Sequence, residues 1–235
     1  MRSLFDQYIL MSCLLCRGAT PLRQPVCRLC IAQCPVADKS CTLCGVPLLT
    51  ASMDICASCL KKAPPFDRCL PAFIYSYPVN HIIQRIKYSR QISLLPIFSR
   101  TLAEILCHSY SGLEWPEVII PVPLHKQRLR HRGYDQALLL GKEVQKKLKP
   151  VQQIKLDYRL VQRSRNTPAQ QELPARKRRK NIRAAFSLTT TFDYQHVAIV
   201  DDVVTTGETV GEITRLLKKH GVETVDIWCL ARTPP

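Results

Sequence analysis

The sequence has 235 residues, 46% of them hydrophobic, which allows one medium-sized domain with a real core and a small second one. Lys and Arg number 34 against 18 for Asp and Glu, giving a formal net charge of +16. This excess favours nucleic acid or phosphorylated small molecules as partners, with a merely basic surface as the alternative. No stretch reaches the length of a membrane span, and the N-terminal region lacks a secretory signal. We therefore expect a cytoplasmic protein.

The cysteines lie mostly before residue 70 and include four Cys-x-x-Cys pairs: Cys13/Cys16, Cys27/Cys30, Cys41/Cys44 and Cys56/Cys59. Two residues between thiolates let a tight knuckle place both sulfurs on one metal ion, and two knuckles complete a tetrahedron. Similar short intervals make two successive zinc ribbons the natural pairing, and a cross-braced pairing is the alternative. A reducing cytoplasm disfavours disulfides. Because four thiolates leave no open position for catalysis, we expect one or two Zn2+ ions with a structural role.

A proline-rich segment, Ala63-Pro64-Pro65-Phe66, marks the predicted boundary between a cysteine-rich module (residues 1–66) and a second domain (67–235). The second domain alternates predicted strands and helices. The strands are at 73–77, 118–123, 197–200 and 224–231, and the helices at 78–88, 92–107 and 137–148, with a last one ending at Gly221. This alternation predicts an α/β fold with a parallel sheet.

Residues 197–209 carry the clearest chemical signal. An apolar run with the composition of a strand buried on both faces leads directly into Asp201 and Asp202. A buried unpaired carboxylate is costly, so this pair needs a role. The residues that follow offer hydroxyl and N–H donors for a phosphate at a helix N-terminus: Thr205, Thr206, Gly207 and Thr209. A ligand site beyond the strand end is the favoured interpretation, and an ordinary well-capped turn is the alternative.

Two arginine-rich segments are candidates for anion contacts. Arg128 and Arg132 follow the strand at 118–123 and would lie at the same edge of the sheet. The long polar segment between 160 and 186 contains Arg163 and Arg165, which would close over an anionic ligand and shield it from water. The same segment has a basic run suited to nucleic-acid phosphates: Arg176, Lys177, Arg178, Arg179 and Lys180. Solvated surface arginines are the alternative in both segments.

The stretch 197–209 is very similar to the phosphoribosyl pyrophosphate (PRPP) signature of type I phosphoribosyltransferases. In that family two acidic residues hold the ribose hydroxyls, directly or through Mg2+, and a Thr-Thr-Gly-x-Thr loop wraps the 5′-phosphate. The resemblance implies that Asp201 and Asp202 form the ribose side, with catalytic importance. It gives the phosphate role to Thr205, Thr206, Gly207 and Thr209.

A closer resemblance covers nearly the whole chain. The features that carry it are the tandem cysteine pairs and four short motifs: Lys87-Tyr88, Pro121-Val122-Pro123-Leu124, Arg132-Gly133-Tyr134-Asp135-Gln136 and Arg163-x-Arg165-x-Thr167. Together they resemble the ComF/GntX family of competence proteins. The resemblance implies a type I phosphoribosyltransferase-like domain with a small N-terminal double zinc-ribbon module. It also implies a role in natural transformation or DNA utilisation, with single-stranded DNA and other competence or recombination proteins as partners. Asp135 departs from the family, which often has Asn there, and adds a negative charge to an arginine-rich turn.

Two functional hypotheses follow. The first is an enzyme in which PRPP binds with Mg2+ and a nucleophile, not identified by the sequence, displaces pyrophosphate from C1 of the ribose. The candidates for the pyrophosphate are Arg128, Arg132, Arg163 and Arg165. The second is a non-catalytic nucleic-acid-binding or regulatory module that uses the PRPP pocket as a ligand sensor.

Overall fold

The structure is a computed structural model that describes residues 10–21, 24–48, 53–164 and 185–235. The strands are β1 (Leu10–Ser12), β2 (Ala19–Pro21), β3 (Arg68–Ile74), β4 (Val118–Pro121), β5 (Lys155–Leu156), β6 (Val161–Arg163), β7 (Phe186–Leu188), β8 (His196–Val204) and β9 (Thr224–Arg232). The helices are α1 (Arg28–Ala32), α2 (Ala57–Lys61), α3 (Val79–Tyr88), α4 (Leu95–Ser109), α5 (Lys126–Arg132), α6 (Gln136–Leu148) and α7 (Glu208–Lys219).

A five-stranded sheet with the order β3-β9-β8-β4-β5 forms the centre of the molecule. Every neighbouring pair in it is parallel, so the carboxyl ends of all its strands meet at one edge. Strand β8 lies in the middle, and its residues 197–200 are completely buried. The sheet confirms the predicted α/β class.

Side chains of β8 alternate between two cores, as the pleat of a strand requires. Ala198 and Val200 belong to a core formed with α3, α4 and α6. Val197 and Ile199 belong to the core on the other face, which includes the apolar side of α7. The sheet is thus covered on both faces, and ligand access is left to the strand ends.

The first and third predicted strands differ most from the structure, and the strand predicted at 118–123 ends at Pro121. The predicted strand 73–77 is instead β3, because residues from Arg68 to Ile74 pair with β9. Strand β8 does not end at Val200 but continues to Val204, because its ladder with β9 extends as far as Arg232. The carboxylates of residues 201 and 202 are therefore held by a rigid strand.

The chain segment between the two cysteine groups covers the edge of the sheet at β3. The N–H of Ala37 donates to the carbonyl oxygen of Ala72 at 3.1 Å, and the N–H of Ile74 donates to that of Pro35 at 2.9 Å. This short antiparallel contact uses backbone groups that an open sheet edge would expose to other chains.

The cysteine-rich modules share cores with the sheet. Cys13 and Cys30 lie in the core that contains α3 and α4. Cys41 and Cys44 lie in the core that contains α7. The predicted division between residues 66 and 67 stays a prediction.

A buried ionic network lies at the opposite edge of the sheet, near the amino ends of the strands. Asp226 is 1% exposed, and its Oδ1 lies 3.0 Å from Nε of Arg68. Its Oδ2 lies 2.9 Å from Nε2 of His196 and accepts the hydroxyl of Tyr110. Burial alone would raise the pKa of Asp226, but the hydrogen bonds from His196, Arg68 and Tyr110 outweigh it and lower the pKa. The network therefore stabilises the fold through the ionised carboxylate.

We expect Asp226→Asn to lower the free energy of unfolding by about 3 kcal/mol at neutral pH, because it leaves Arg68 without its buried counter-charge. Since folding lowers the pKa of Asp226, its contribution is fully present above the ordinary carboxyl pKa and is lost as the pH falls through the lowered value. Urea denaturation at several pH values measures this. Glu212→Gln, which breaks an exposed pair with Arg215, is the control and should change stability by less than about 0.5 kcal/mol. Equal stability of wild type and Asp226→Asn at neutral pH would contradict the account.

Candidate functional site

A pocket opens at the carboxyl edge of the sheet, where β4 and β8 end. The predicted ligand residues that line it are Asp201, Asp202, Thr205, Thr209, Arg128, Arg132 and Arg163. Gly207 lines a smaller adjoining pocket together with Thr205 and Thr209. Thr206 is exposed and lines neither of these two pockets.

Some predicted residues lie outside the part of the chain that the structure describes. These are Arg165 and the basic run at residues 176–180. Their roles stay predictions.

Two carboxylates from consecutive residues of β8 form the acidic side of the pocket. Asp202 is 8% exposed, and its backbone N–H donates to Oδ1 of Asp201 at 2.8 Å. Burial and the neighbouring charge of Asp202 raise the pKa of Asp201 well above the ordinary carboxyl value. This arrangement favours a cation or a hydrogen-bond donor between the carboxylates.

Lys87, in the last turn of α3, supplies one such cation. Its Nζ lies 3.0 Å from Oδ1 of Asp202. Burial alone would lower the pKa of Lys87, but the charges of Asp202 and Asp201 outweigh it and raise the pKa. The contact arises because alternation along β8 places Asp202 on the same side as Val200, which is the face that α3 covers. Lys87 is therefore a residue of the pocket and not a solvated helix end.

The loop between β8 and α7 has the form of a phosphate-binding turn. Gly207 immediately precedes α7 with φ 77°, a left-handed conformation that favours glycine. Helix α7 begins next to the pocket, where Thr205 and Thr209 form part of the lining. In any α-helix the first N–H groups donate to no carbonyl group of the same helix. Val210 and Ile213 anchor the helix in the core. A phosphate placed here meets N–H donors and the positive end of the helix dipole.

Helix α5 replaces the predicted basic turn and brings Arg128 and Arg132 to the pocket. It ends at Gly133, whose φ of 83° turns the chain towards α6. The guanidinium of Arg132 donates to Oε1 of Gln136 at 2.9 Å and lies 5.1 Å from the centre of the Tyr88 ring. These contacts fix the direction of Arg132 at the rim of the pocket.

Asp135 fastens the loop after β4 to the start of α6. Its Oδ2 accepts the N–H of Leu124 at 3.0 Å, and its Oδ1 accepts the N–H of Leu138 at 3.0 Å. Burial raises the pKa of Asp135 despite these backbone donors. Both oxygens act as acceptors, which the single amide oxygen of Asn cannot reproduce. The added acidic group thus serves as a helix cap.

Arg163, at the end of β6, forms another part of the basic side of the pocket. Its guanidinium lies 5.5 Å from the centre of the Phe186 ring. Burial and the charge of Arg128 lower the pKa of Arg163 to about 10, although Asp201 acts in the opposite direction. The two arginines are therefore close enough to repel each other, and an anion would relieve this repulsion. One pocket combines an acidic side with an arginine side.

The N-terminal thiols form two groups in which the sulfur atoms all lie within 4.8 Å of one another. The groups are Cys13, Cys16, Cys27 and Cys30, and Cys41, Cys44, Cys56 and Cys59. The first Cys-x-x-Cys pair thus combines with the second, and the third with the fourth. The cross-braced alternative would combine the first pair with the third and the second with the fourth. Four thiolates this close together suit Zn2+ better than the harder cations Mg2+ and Ca2+, and the two groups suggest structural zinc.

Backbone N–H groups prepare one thiol in each group for metal binding. Burial alone would raise the pKa of Cys13, but hydrogen bonds from backbone N–H groups, including those of Cys27 and Leu15 at 3.4 Å, lower it to about 6. In the second group, the corresponding bonds lower the pKa of Cys41 to about 7, with the N–H of Cys56 at 3.3 Å. Such N–H contacts stabilise thiolates, the form that binds metal.

Sequence reasoning misses some residues of the site. It identifies Lys87 only as part of a motif, and it does not single out Tyr75, which also lines the pocket. Arg232 is also missed, because an arginine at the end of a strand carries no sequence signal. Its guanidinium contacts the carbonyl groups of Val204 and Thr205, where the loop between β8 and α7 (the phosphate loop, residues 205–207) begins. The basic, aromatic end of α3 is the available signal for Lys87.

Comparisons with known proteins show the family of the chain. Residues 135–234 match the family model of the phosphoribosyl transferase domain. The chain is 35% identical over 224 residues to the DNA utilization protein YhgH of Escherichia coli (strain K12), covering 94% of this chain and 96% of that protein. It is 37% identical over 230 residues to competence protein F of Haemophilus influenzae, with 94% and 96% covered. The chain belongs to the ComF/GntX family.

This ComF/GntX member is also similar to the solved structure of a hypoxanthine phosphoribosyltransferase from Staphylococcus aureus. The TM-score is 0.37 at 17% identity, covering 60% of this chain and 64% of that one.

None of the helices described for this family member is long and apolar enough to cross a membrane.

Proposed function

We propose that this ComF-family protein binds PRPP with Mg2+ at the carboxyl edge of the sheet and acts with incoming single-stranded DNA in transformation or DNA utilisation. One observation carries the PRPP part. The acidic pair, Thr205, Thr209 and three arginines line the same pocket, and Gly207 lines a smaller pocket that adjoins it. The match to the phosphoribosyl transferase domain supports this assignment, and the names of the relatives support the link to DNA.

The acidic side would bind the ribose. Asp201 and Asp202 offer carboxylate oxygens as acceptors for ribose hydroxyl donors. The same hard oxygen atoms suit Mg2+, which proteins commonly hold through one or two carboxylates together with substrate phosphates. Mg2+, when bound, neutralises charge on the pyrophosphate. Lys87, 3.0 Å from Asp202, balances part of the acidic charge before the ligand arrives.

The loop before α7 would bind the 5′-phosphate. Thr205 and Thr209 line the pocket beside the helix N-terminus, and their hydroxyls add to the backbone donors of the first turn. The left-handed Gly207 lets the backbone turn sharply enough to present these donors to one anion.

The arginine side would bind the pyrophosphate. Arg128 and Arg163 repel each other, and the leaving anion would relieve this repulsion. As a nucleophile forms its bond to C1 of the ribose, the bond from C1 to the pyrophosphate oxygen breaks, and pyrophosphate leaves towards the arginines. Positive charge that develops on the ribose ring would face the carboxylates. Such catalysis consists mostly of positioning and charge stabilisation.

The second candidate is a nucleic-acid-binding or regulatory module that uses PRPP as a signal. One observation favours it. Tyr88 is 60% exposed at the rim of the pocket, with its ring against the guanidinium of Arg132. An exposed aromatic ring beside a cation suits an unpaired base, and the net charge of +16 attracts its phosphate backbone. The zinc ribbons would then be docking surfaces for other competence or recombination proteins.

Calorimetric titration of PRPP with Mg2+ tests the binding site. We expect Asp201→Asn/Asp202→Asn to weaken binding at least about tenfold, equivalent to roughly 1.4 kcal/mol, because the ribose side loses its charge. Asp193→Asn, at an exposed position away from the pocket lining, is the matched control and should bind like wild type. Equal affinity in wild type and the double variant would rule out this site.

Pyrophosphate release with an acceptor panel that includes single-stranded DNA then separates the two candidates, since binding without release favours the sensor.

The DNA part is tested through the salt dependence of binding. Replacing the basic residues at 176–180 with Gln should reduce the slope of log K against log salt by about 0.7 for each phosphate that the protein no longer neutralises. Fluorescence anisotropy with a labelled single strand measures it. Lys146→Gln/Lys149→Gln removes exposed charge at the far end of α6 and should leave the slope unchanged. An unchanged slope after substitution at 176–180 would exclude this segment as the DNA contact.

A further inference from the structure

The guanidinium of Arg232, at the end of β9, lies between the second cysteine group and the phosphate loop. It is 7% exposed. Its Nε donates to the carbonyl oxygen of Cys44 at 2.8 Å. Its Nη1 donates to the carbonyl oxygen of Val204 at 3.1 Å and also to that of Thr205. A single side chain therefore joins a metal-ligating residue to the first residue of the loop.

The chemistry of arginine suits this bridge. The planar fork of N–H donors reaches carbonyl groups in two directions at once, which the compact ammonium of lysine does not do. A buried cation also needs nearby negative charge. Four thiolates around one Zn2+ carry a net negative charge and would supply it beside Arg232. The metal-loaded centre and the guanidinium thus stabilise each other.

The second cysteine module has little freedom to move without disturbing the loop. Gly45, next to Cys44, lies so close to β3 that an added Cβ would be 2.9 Å from the carbonyl oxygen of Cys69 and from Cδ of Pro71. The ring of Phe66 lies behind Gly207, 3.6 Å from the position of a Cβ there. The second cysteine group is thus packed against the edge strand β3, and Phe66, which precedes that strand, packs against the back of the loop.

The first cysteine module occupies a different position and offers an internal control. Cys13 and Cys30 lie in the core on the other face of the sheet, with Phe73 and Val79. Loss of metal from this module would disturb the core on the face of the sheet that α3 covers. It would leave the contacts of Arg232 with Val204 and Thr205 in place.

We propose that the second four-cysteine centre positions the phosphate loop through Arg232, so that metal occupancy of this centre controls the affinity for the phosphorylated ligand. Arg232 is a positioning residue, since its contacts are to the loop backbone. The effect on affinity rests on the proposed PRPP function. The effect on the order of the loop does not depend on PRPP binding.

Two matched variants test the proposal. Cys56→Ser/Cys59→Ser removes the helix-side knuckle of the second centre, and Cys27→Ser/Cys30→Ser removes that of the first. Elemental analysis should show one zinc ion fewer in each than in wild type. Hydrogen exchange without ligand should be about tenfold faster at residues 203–211 in the second-centre variant, the size expected when a charge-assisted hydrogen bond is removed. Exchange there should be unchanged in the first-centre variant, and β4 serves as the fold control. Equal exchange of the loop in both variants would overturn the proposal.

Arg232→Lys decides the question even where the second-centre variant does not fold. It keeps the positive charge and should keep both zinc ions, yet loop exchange should rise and PRPP affinity should fall about tenfold, because the single Nζ of lysine cannot take the positions of both Nε and Nη1. Wild-type loop exchange in Arg232→Lys would overturn the proposal. Absence of PRPP binding by wild type would refute the proposed function instead, and the exchange data would still decide whether the centre orders the loop.

Discussion

Strand β8 pairs with β4 on one side and with β9 on the other, and both ladders are parallel. Parallel pairing brings the carboxyl ends of the three strands to one edge, where groups distant in the sequence become neighbours. The acidic pair is on β8 itself, α5 follows β4 with its arginines, and Arg232 ends β9. The burial of β8 on both faces leaves this edge as the place where polar groups can meet a ligand.

The distribution of charge within the pocket follows from that geometry. The lining combines the carboxylates and Lys87 with Arg128 and Arg163. A ligand with hydroxyl donors at its centre and phosphates at both ends complements this pattern. A purely anionic ligand would meet the carboxylates, and a neutral one would gain nothing from the positive charge of the arginines. This complementarity is the physical basis of the proposed PRPP site.

The parts of the site that the sequence predicts are those with local causes. The strand, carboxylates, glycine turn and helix of residues 197–209 follow one another directly, and Cys-x-x-Cys knuckles depend on a spacing of two residues. The remaining parts depend on tertiary contacts. Lys87 meets Asp202 because α3 packs on the face of β8 that carries Val200. Arg232 meets Cys44 because the second module packs against β3, and no local pattern indicates this contact.

The fold shows the same division. The long amphipathic helices and the buried strands are recognisable from periodicity, whereas the paired strands β6 and β7 are too short for a periodic signal. Helix α5 escapes prediction because its basic residues give it no apolar face, and none of its residues is buried. Asp135 stands out in the sequence only as an extra charge, since a sequence does not show which backbone N–H groups its carboxylate caps.

A crystal structure of the protein with PRPP and Mg2+ tests the central claim most directly. The account predicts the 5′-phosphate at the N-terminus of α7 between Thr205 and Thr209, and the ribose hydroxyls on Asp201 and Asp202. The pyrophosphate should point towards the arginine side of the pocket. PRPP bound elsewhere, or bound in the pocket without contact to either carboxylate, would contradict it.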